Sequence, residues 1–235
     1  MRWVPLESNP ELFTTWSESM GLDTSKYAFT DIYGLDDELL AMVPQPVEAV
    51  LCLFPVTKEN EKVMVKEDEQ VEPFVGPEKE DELIYFKQTI SNACGTIGLL
   101  HAIANTSARK TLSSESPMGQ LLRDALPLNA NDRAAFLQTS KSLAQAHTTT
   151  ASSGQTAAPS ADDPVDLHFV CYVRDPKSKK LYELDGRRKG PVDRKLEVVQ
   201  QEDLLKTATK WVQENYMQLN PEELNFNLIA LASMA

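Results

Sequence analysis

Hydrophobic positions recur along this chain at two spacings, and the switches between them mark its elements. Leu12, Phe13, Trp16 and Met20 fall at helical spacing, with Asn9 as cap and Pro10 in the first turn, so Pro5 to Met20 reads as a short helix. Phe29 to Tyr33 alternates as a short strand, and Asp36 to Met42 is a second short helix stopped by Pro44-Gln45-Pro46. Val47 to Val56 is apolar apart from Glu48, the pattern of a strand central in its sheet. Lys58 to Glu82 is charged and holds Pro73, Gly76 and Pro77, which predicts an exposed loop. The stretch after Cys94 is apolar on every helical face and needs burial on most sides. Helices are expected over Pro117 to Ala125 and Ala130 to His147. Val165 to Arg174 and Leu181 to Asp185 then read as strands joined by the turn formers Asp175-Pro176-Lys177-Ser178. Val192 to Val199 adds a strand, Glu202 to Tyr216 a helix, and Phe226 to Ala232 a closing strand.

One segment breaks this pattern. From Thr148 to Pro164 the residues are Thr, Ser, Ala, Gln, Gly and Pro, with two Asp and no aromatic, the composition of a long flexible loop. At 235 residues the chain suffices for one large domain with a substantial core. The longest clean apolar run, Ala49 to Phe54, is far too short to cross a bilayer, and Glu7 and Pro10 interrupt any signal-peptide core. A soluble cytoplasmic protein is expected, with no membrane partner. The net charge of −12 repels phosphate backbones, so nucleic acid is not an expected partner. Cys52, Cys94 and Cys171 cannot all pair and form no CxxC, and His101, His147 and His168 are the only histidines. Neither a disulfide framework nor a metal site is expected.

A free cysteine is usually a small buried hydrophobe, and Cys52 and Cys171, both inside strands, fit that description. Cys94 differs. The polar turn Ser91-Asn92-Ala93 precedes it and Gly95 follows, so it opens a helix. Unpaired N–H groups at a helix start favour a thiolate and can donate to a developing oxyanion. Gln88, just upstream, is a candidate second oxyanion donor.

The partner base must be a histidine. His101 lies two helical turns beyond Cys94, too far for a hydrogen bond, and reads as a core or surface residue. His147 borders the flexible segment and is expected to be solvent-exposed. His168 and Asp185 occupy the two strands of one predicted hairpin. A turn centred between Pro176 and Lys177 pairs them directly, with Cβ atoms about 4.5–5.5 Å apart. A two-residue register shift leaves them diagonal on the same face, and a one-residue slip separates them. A carboxylate on one ring nitrogen leaves the other free to take a proton, so Cys94, His168 and Asp185 can form a nucleophilic triad. The alternative is a buried histidine salt-bridged for structure.

Several stretches resemble the ubiquitin carboxyl-terminal hydrolases, small single-domain cysteine peptidases, and their L-type isozymes in particular. They are Trp3-Val-Pro-Leu-Glu-Ser-Asn-Pro10, Leu39-Leu-Ala-Met-Val-Pro-Gln-Pro46, Lys87-Gln-Thr-Ile-Ser-Asn-Ala-Cys-Gly-Thr-Ile-Gly98, Val165-Asp-Leu-His-Phe169, Leu181-Tyr-Glu-Leu-Asp-Gly-Arg187 and Asn225-Phe-Asn-Leu-Ile-Ala-Leu231. They occur in the family's order and span essentially the whole chain.

The resemblance implies an α/β fold: a central antiparallel sheet flanked by helices, in a papain-like arrangement with a knotted backbone, as one catalytic domain over 1–235. It makes Cys94 the nucleophile, His168 the general acid and base, Asp185 its orienting partner and Gln88 the oxyanion side chain. The stretch at about 147–164 corresponds to a crossover loop above the active site, under which a substrate tail must pass. Pro5, Leu6, Glu7, Asp31, Val165, Asp166 and Leu167 are implied to contact that tail, with Glu7 and Asp31 facing its arginines. The implied partner is ubiquitin or a related ubiquitin-like modifier, met by a monomer with no cofactor. Two departures stand out. Asn225 replaces an arginine common in relatives, and Arg187-Arg-Lys-Gly-Pro191 carries extra basic residues.

Overall fold

The computed structural model describes residues 1–78, 82–155, 165–219 and 221–234. Its helices are α1 (Pro10–Met20), α2 (Asp37–Leu40), α3 (Lys58–Asp68), α4 (Cys94–Ala104), α5 (Pro117–Ala125), α6 (Ala130–Thr139), α7 (Lys141–Ala151) and α8 (Leu204–Val212). The strands are β1 (Tyr27–Asp31), β2 (Val47–Pro55), β3 (Leu167–Arg174), β4 (Lys180–Leu184), β5 (Val192–Glu197) and β6 (Asn227–Ser233). All six form one antiparallel sheet in the order β1-β6-β2-β3-β4-β5.

Alternation along the inner strands divides the apolar side chains between two cores, because successive residues of a strand face opposite sides. Leu51, Phe169, Cys171, Ile229 and Leu231 face one side, where they meet α1, α4 and α5. Val50, Cys52, Phe54, Val170, Tyr172 and Ala230 face the other, beneath α8. Helix α4 is buried along its whole length, as an all-round apolar helix must be. α8 needs only one apolar face, and Leu204, Leu205, Ala208 and Val212 supply it.

Three expectations are corrected. The first helix starts at Pro10, because the Asn9 side chain accepts from the Glu11 and Leu12 N–H groups; residues 5–8 precede it as extended chain. The charged stretch from Lys58 opens as helix α3 instead of a loop. Thr57 caps it, Glu59 and Glu61 occupy its first turn and Lys66 its last, each favourable to the helix dipole. With no apolar stripe, periodicity could not reveal it. His147 is buried, since α7 runs through it to Ala151. The segment expected as a loop from 147 therefore starts helical, and residues 156–164 lie outside the described residues.

The hairpin takes the second of the registers left open by the sequence. Cys171 stands opposite Leu184 and Tyr172 opposite Glu183, two residues from direct His168–Asp185 pairing. Asp175 sets this register by closing a longer loop. Its carboxylate accepts from Ser178 N–H at 2.9 Å, Lys179 takes a left-handed φ of 57°, and Lys179 N–H returns to the Asp175 carbonyl. His168 and Asp185 stay on one face as diagonal neighbours.

Candidate active site

Cys94 is the first residue of α4, and Ala93 before it provides no side-chain cap. The first-turn N–H groups are thus left for another acceptor. The turn ahead of the helix is pinned from outside. Asn92 holds a left-handed φ of 63° and donates from Nδ2 to the Trp3 carbonyl, while Trp3 N–H donates to Ser91 O at 3.0 Å. Leu6 packs directly onto Gly95, where an added Cβ would lie 3.2 Å from Leu6 Cβ. The amino-terminal segment therefore lies along the start of the cysteine helix.

β3 brings His168 to the same place from the other side. Its Nε2 is 2.7 Å from Asp185 Oδ1, and both residues are buried. Nδ1 is then the nitrogen left for Cys94, and the imidazole and the thiol shift each other's ionisation. Asp185 Oδ1 also accepts from Arg187 N–H at 2.8 Å, which fixes the carboxylate. Phe54 packs edge-on against the imidazole with centroids 5.9 Å apart.

The three groups shift one another's ionisation. Burial pushes the Cys94 thiol up, but the hydrogen bond and charge of His168, with the Phe169 and Gly95 N–H groups, outweigh it and lower its pKa. Burial opposes charging of His168, yet the charge and hydrogen bond of Asp185, joined by Cys94, raise its pKa. Burial likewise disfavours the Asp185 carboxylate, and the His168 charge reverses this, so its pKa falls. All three directions favour a thiolate–imidazolium–carboxylate array. The other two thiols behave oppositely: burial pushes Cys52 and Cys171 up with nothing to offset it.

Gln88 lies beside this group. Its N–H donates to Gly186 O at 2.8 Å, and its Nε2 donates to Ile90 O at 3.1 Å. Among the described residues no cluster of three or more His, Cys, Asp or Glu is placed to hold a metal, and no helix is long and apolar enough to cross a membrane.

Residues 3–218 match the model of ubiquitin carboxyl-terminal hydrolase, family 1. The chain belongs to this family. It is 40% identical over 231 residues to ubiquitin carboxyl-terminal hydrolase 3 of Arabidopsis thaliana, covering 98% of this chain and 94% of that one. It is 34% identical over 235 residues to isozyme L1 of Homo sapiens, covering both chains entirely. Among solved structures, the catalytic domain of Trichinella spiralis UCH37 bound to ubiquitin vinyl methyl ester superposes with a TM-score of 0.73 at 22% identity, over 99% of this chain and 96% of that one. The mixed α/β fold is thus the hydrolase fold, and the family is one of cysteine peptidases.

In this hydrolase chain the residues read as tail contacts come from three separate segments. Pro5, Leu6 and Glu7 line the amino-terminal segment, with Leu6 buried. Val165, Asp166 and Leu167 lead into β3, where Asp166 O accepts from Val56 N–H. Asp31 ends β1, opposite Ile229 and three strands from His168 in the sheet order.

Sequence reasoning missed the supports. His147 ties α7 to two other segments: Nδ1 is 2.7 Å from Thr96 Oγ1 of α4, Nε2 lies 2.7 Å from Val4 O, and the ring packs tilted against Trp3 with centroids 4.2 Å apart. His101 accepts from Phe86 N–H through Nε2. Burial lowers both histidines, to about 4 for His147 and about 3 for His101, so both are neutral. The polar run Thr148-Thr149-Thr150 that follows His147 gives no sign of its burial. The Thr-His-carbonyl relay is formed by residues distant in the chain.

Proposed function

We propose that this chain is a deubiquitinating hydrolase that cleaves small or unfolded adducts from the carboxyl-terminal glycine of ubiquitin. The observation that carries the reading is the Cys94–His168–Asp185 array at the start of a helix. Cys94 thiolate attacks the glycine carbonyl, and the oxyanion is held by the Cys94 N–H and the Gln88 amide. His168 gives its proton to the leaving amine or thiol, and an acyl thioester remains on Cys94. His168 then takes a proton from water, whose hydroxide oxygen attacks the thioester; the thiolate leaves and free ubiquitin is released. No cofactor takes part in these steps.

In this reading Glu7 and Asp31 meet arginines of the substrate tail and Pro5, Leu6, Val165, Asp166 and Leu167 contact it; the packing of Leu6 onto Gly95, next to Cys94, supports the amino-terminal part. The leaving group is limited, on the same reading, to small or unfolded chains. The chain acts as one catalytic domain, as a cytoplasmic monomer. Ubiquitin is favoured over a related modifier because the matched solved structures carry ubiquitin vinyl methyl ester.

The test is release of a fluorophore from a ubiquitin carboxyl-terminal conjugate. Fast release by wild type and none by Cys94→Ala is the expected result. Turnover retained in Cys94→Ala sinks the mechanism. Inhibition by a ubiquitin-like modifier and not by free ubiquitin reassigns the substrate.

A further inference from the structure

The basic departure after Asp185 has a structural use. Residues 185–188 form a turn closed by Arg188 N–H to Asp185 O at 3.0 Å, and Tyr85 Oη donates to the carbonyls of both Asp185 and Arg188. Every residue of the turn bears on the site. Asp185 holds His168, and Arg187 N–H holds the Asp185 carboxylate. Gly186 O takes the Gln88 N–H, and the Gly186 Cα is so close to α4 and Gln88 that an added Cβ would lie 2.8 Å from both Gln88 Cβ and Ile97 Cγ2.

The turn is anchored by its last side chain. Arg188 is 3% exposed, and its Nε lies 2.7 Å from Asp68 Oδ1 and its Nη2 2.8 Å from Glu67 Oε2, both at the end of α3. Glu67 also pairs with Arg194 of β5 at 2.9 Å, and Arg194 with the buried Glu183 of β4 at 2.8 Å. A buried guanidinium bound by two carboxylates in this way is held in one geometry, since leaving that geometry strands a charge.

We propose that Arg188 is a positioning residue for the hydrolysis: anchored by Glu67 and Asp68 of α3, it fixes the 185–188 turn, and the turn fixes Asp185 and Gln88 together. The proposal rests on the catalytic reading above. It assigns α3, a polar helix with little apolar face of its own, the task of holding the orienting carboxylate and the oxyanion amide in one register. Small misplacements are costly in such an arrangement, since about 1 Å can cost roughly a hundredfold in rate.

The experiment compares Arg188→Met and Glu67→Ala/Asp68→Ala with wild type in the full chain. It measures kcat and KM on a ubiquitin carboxyl-terminal fluorophore conjugate, the pH midpoint of Cys94 alkylation by iodoacetamide, and thermal unfolding. Arg188→Met strands no buried charge: Glu183 keeps Arg194, Tyr172 and Tyr216, while Glu67 and Asp68 can rehydrate. The expected result for both variants is a kcat at least about tenfold lower, a KM within about twofold, and an alkylation midpoint moved towards the ordinary thiol value. Wild-type kcat and midpoint in folded variants, with only the melting temperature lowered, overturn the proposal and make the cluster purely structural. If Arg188→Met does not fold, the double variant on α3 decides. If wild type hydrolyses no conjugate, the catalytic reading fails, and the alkylation midpoints still decide whether Arg188 positions the array.

Discussion

His168 reaches Asp185 diagonally across the β3–β4 hairpin, and its Nε2 ends 2.7 Å from Asp185 Oδ1. The same oxygen accepts Arg187 N–H at 2.8 Å, so it must remain an acceptor whatever the side chain. In Asp185→Asn the amide oxygen therefore keeps this place, with its NH2 where Oδ2 now has no partner. Ring orientation and tautomer survive, and only the charge that stabilises the imidazolium is lost. The expected fall in kcat is roughly ten- to a hundredfold, well short of the ~10⁴-fold loss that follows when the tautomer is wrong. Steady-state kinetics check it; a loss of the larger size would mean that the amide has turned over.

The paired shifts of Cys94 and His168 predict the pH profile. The thiol pKa lies below its ordinary value and the imidazole pKa above, so the ion pair exists from below the usual thiol range up to well above the usual histidine range. The groups facing His168 are Asp185 after β4, Cys94 on α4 and the uncharged Phe54 on β2. Alkylation of Cys94 is expected to rise with pH at a midpoint below that of a free thiol. In His168→Asn only the Phe169 and Gly95 N–H groups, the smaller of the lowering causes, still oppose burial, and the midpoint should rise. An unshifted midpoint in that variant would falsify the ion pair. The midpoints belong to the coupled pair rather than to either residue.

His147 predicts a loss of stability in acid. Its folded pKa is depressed to about 4, so the native state requires the neutral ring. Stability from such a group is present above the unfolded value of about 6.5 and is lost as pH falls toward the folded value. Between pH 6.5 and 5 the loss is about 2 kcal/mol for this histidine. His101, depressed to about 3, adds a similar amount, while His168, raised in the folded state, loses nothing in this window. Denaturant unfolding at both pH values should show His147→Gln losing less stability than wild type by about 2 kcal/mol. Equal losses would show that His147 is not held neutral.

The parts of this molecule legible in the sequence are those set by local pattern. β2 declares itself by the apolar run from Ala49 to Phe54, α4 by apolar residues on every face, and Cys94 by standing where a polar turn becomes that helix. The Cys94–His168–Asp185 grouping was legible because hairpin arithmetic keeps His168 and Asp185 on one face for even register shifts, though the shift itself depended on how Asp175 closes its loop. What stayed hidden depends on partners far away in the chain. α3 has no apolar stripe to betray it and is fixed by Arg188 and Arg194, more than a hundred residues on. His147 is buried by Trp3, Val4 and Thr96, none of which is near it in the chain.

Gln88 offers the sharpest test of the oxyanion assignment. Its orientation follows from its neighbour: Ile90 O is an acceptor only, so the group facing it at 3.1 Å must be the NH2. One Nε2 hydrogen is committed there, and the second remains to meet charge that develops on a carbonyl oxygen attacked by Cys94. Gln88→Glu keeps the shape but replaces that donor with an acceptor and sets a negative charge where another would form. A donor aimed at an oxyanion is typically worth 10²–10³ in kcat, so Gln88→Ala should lose roughly a hundredfold with little change in KM. Gln88→Glu should lose more than Gln88→Ala at neutral pH and recover part of the difference as the carboxyl is protonated in acid. If the two variants lose rate equally at every pH, the Gln88 amide does not face the developing charge, and the backbone N–H at the start of α4 carries the oxyanion alone.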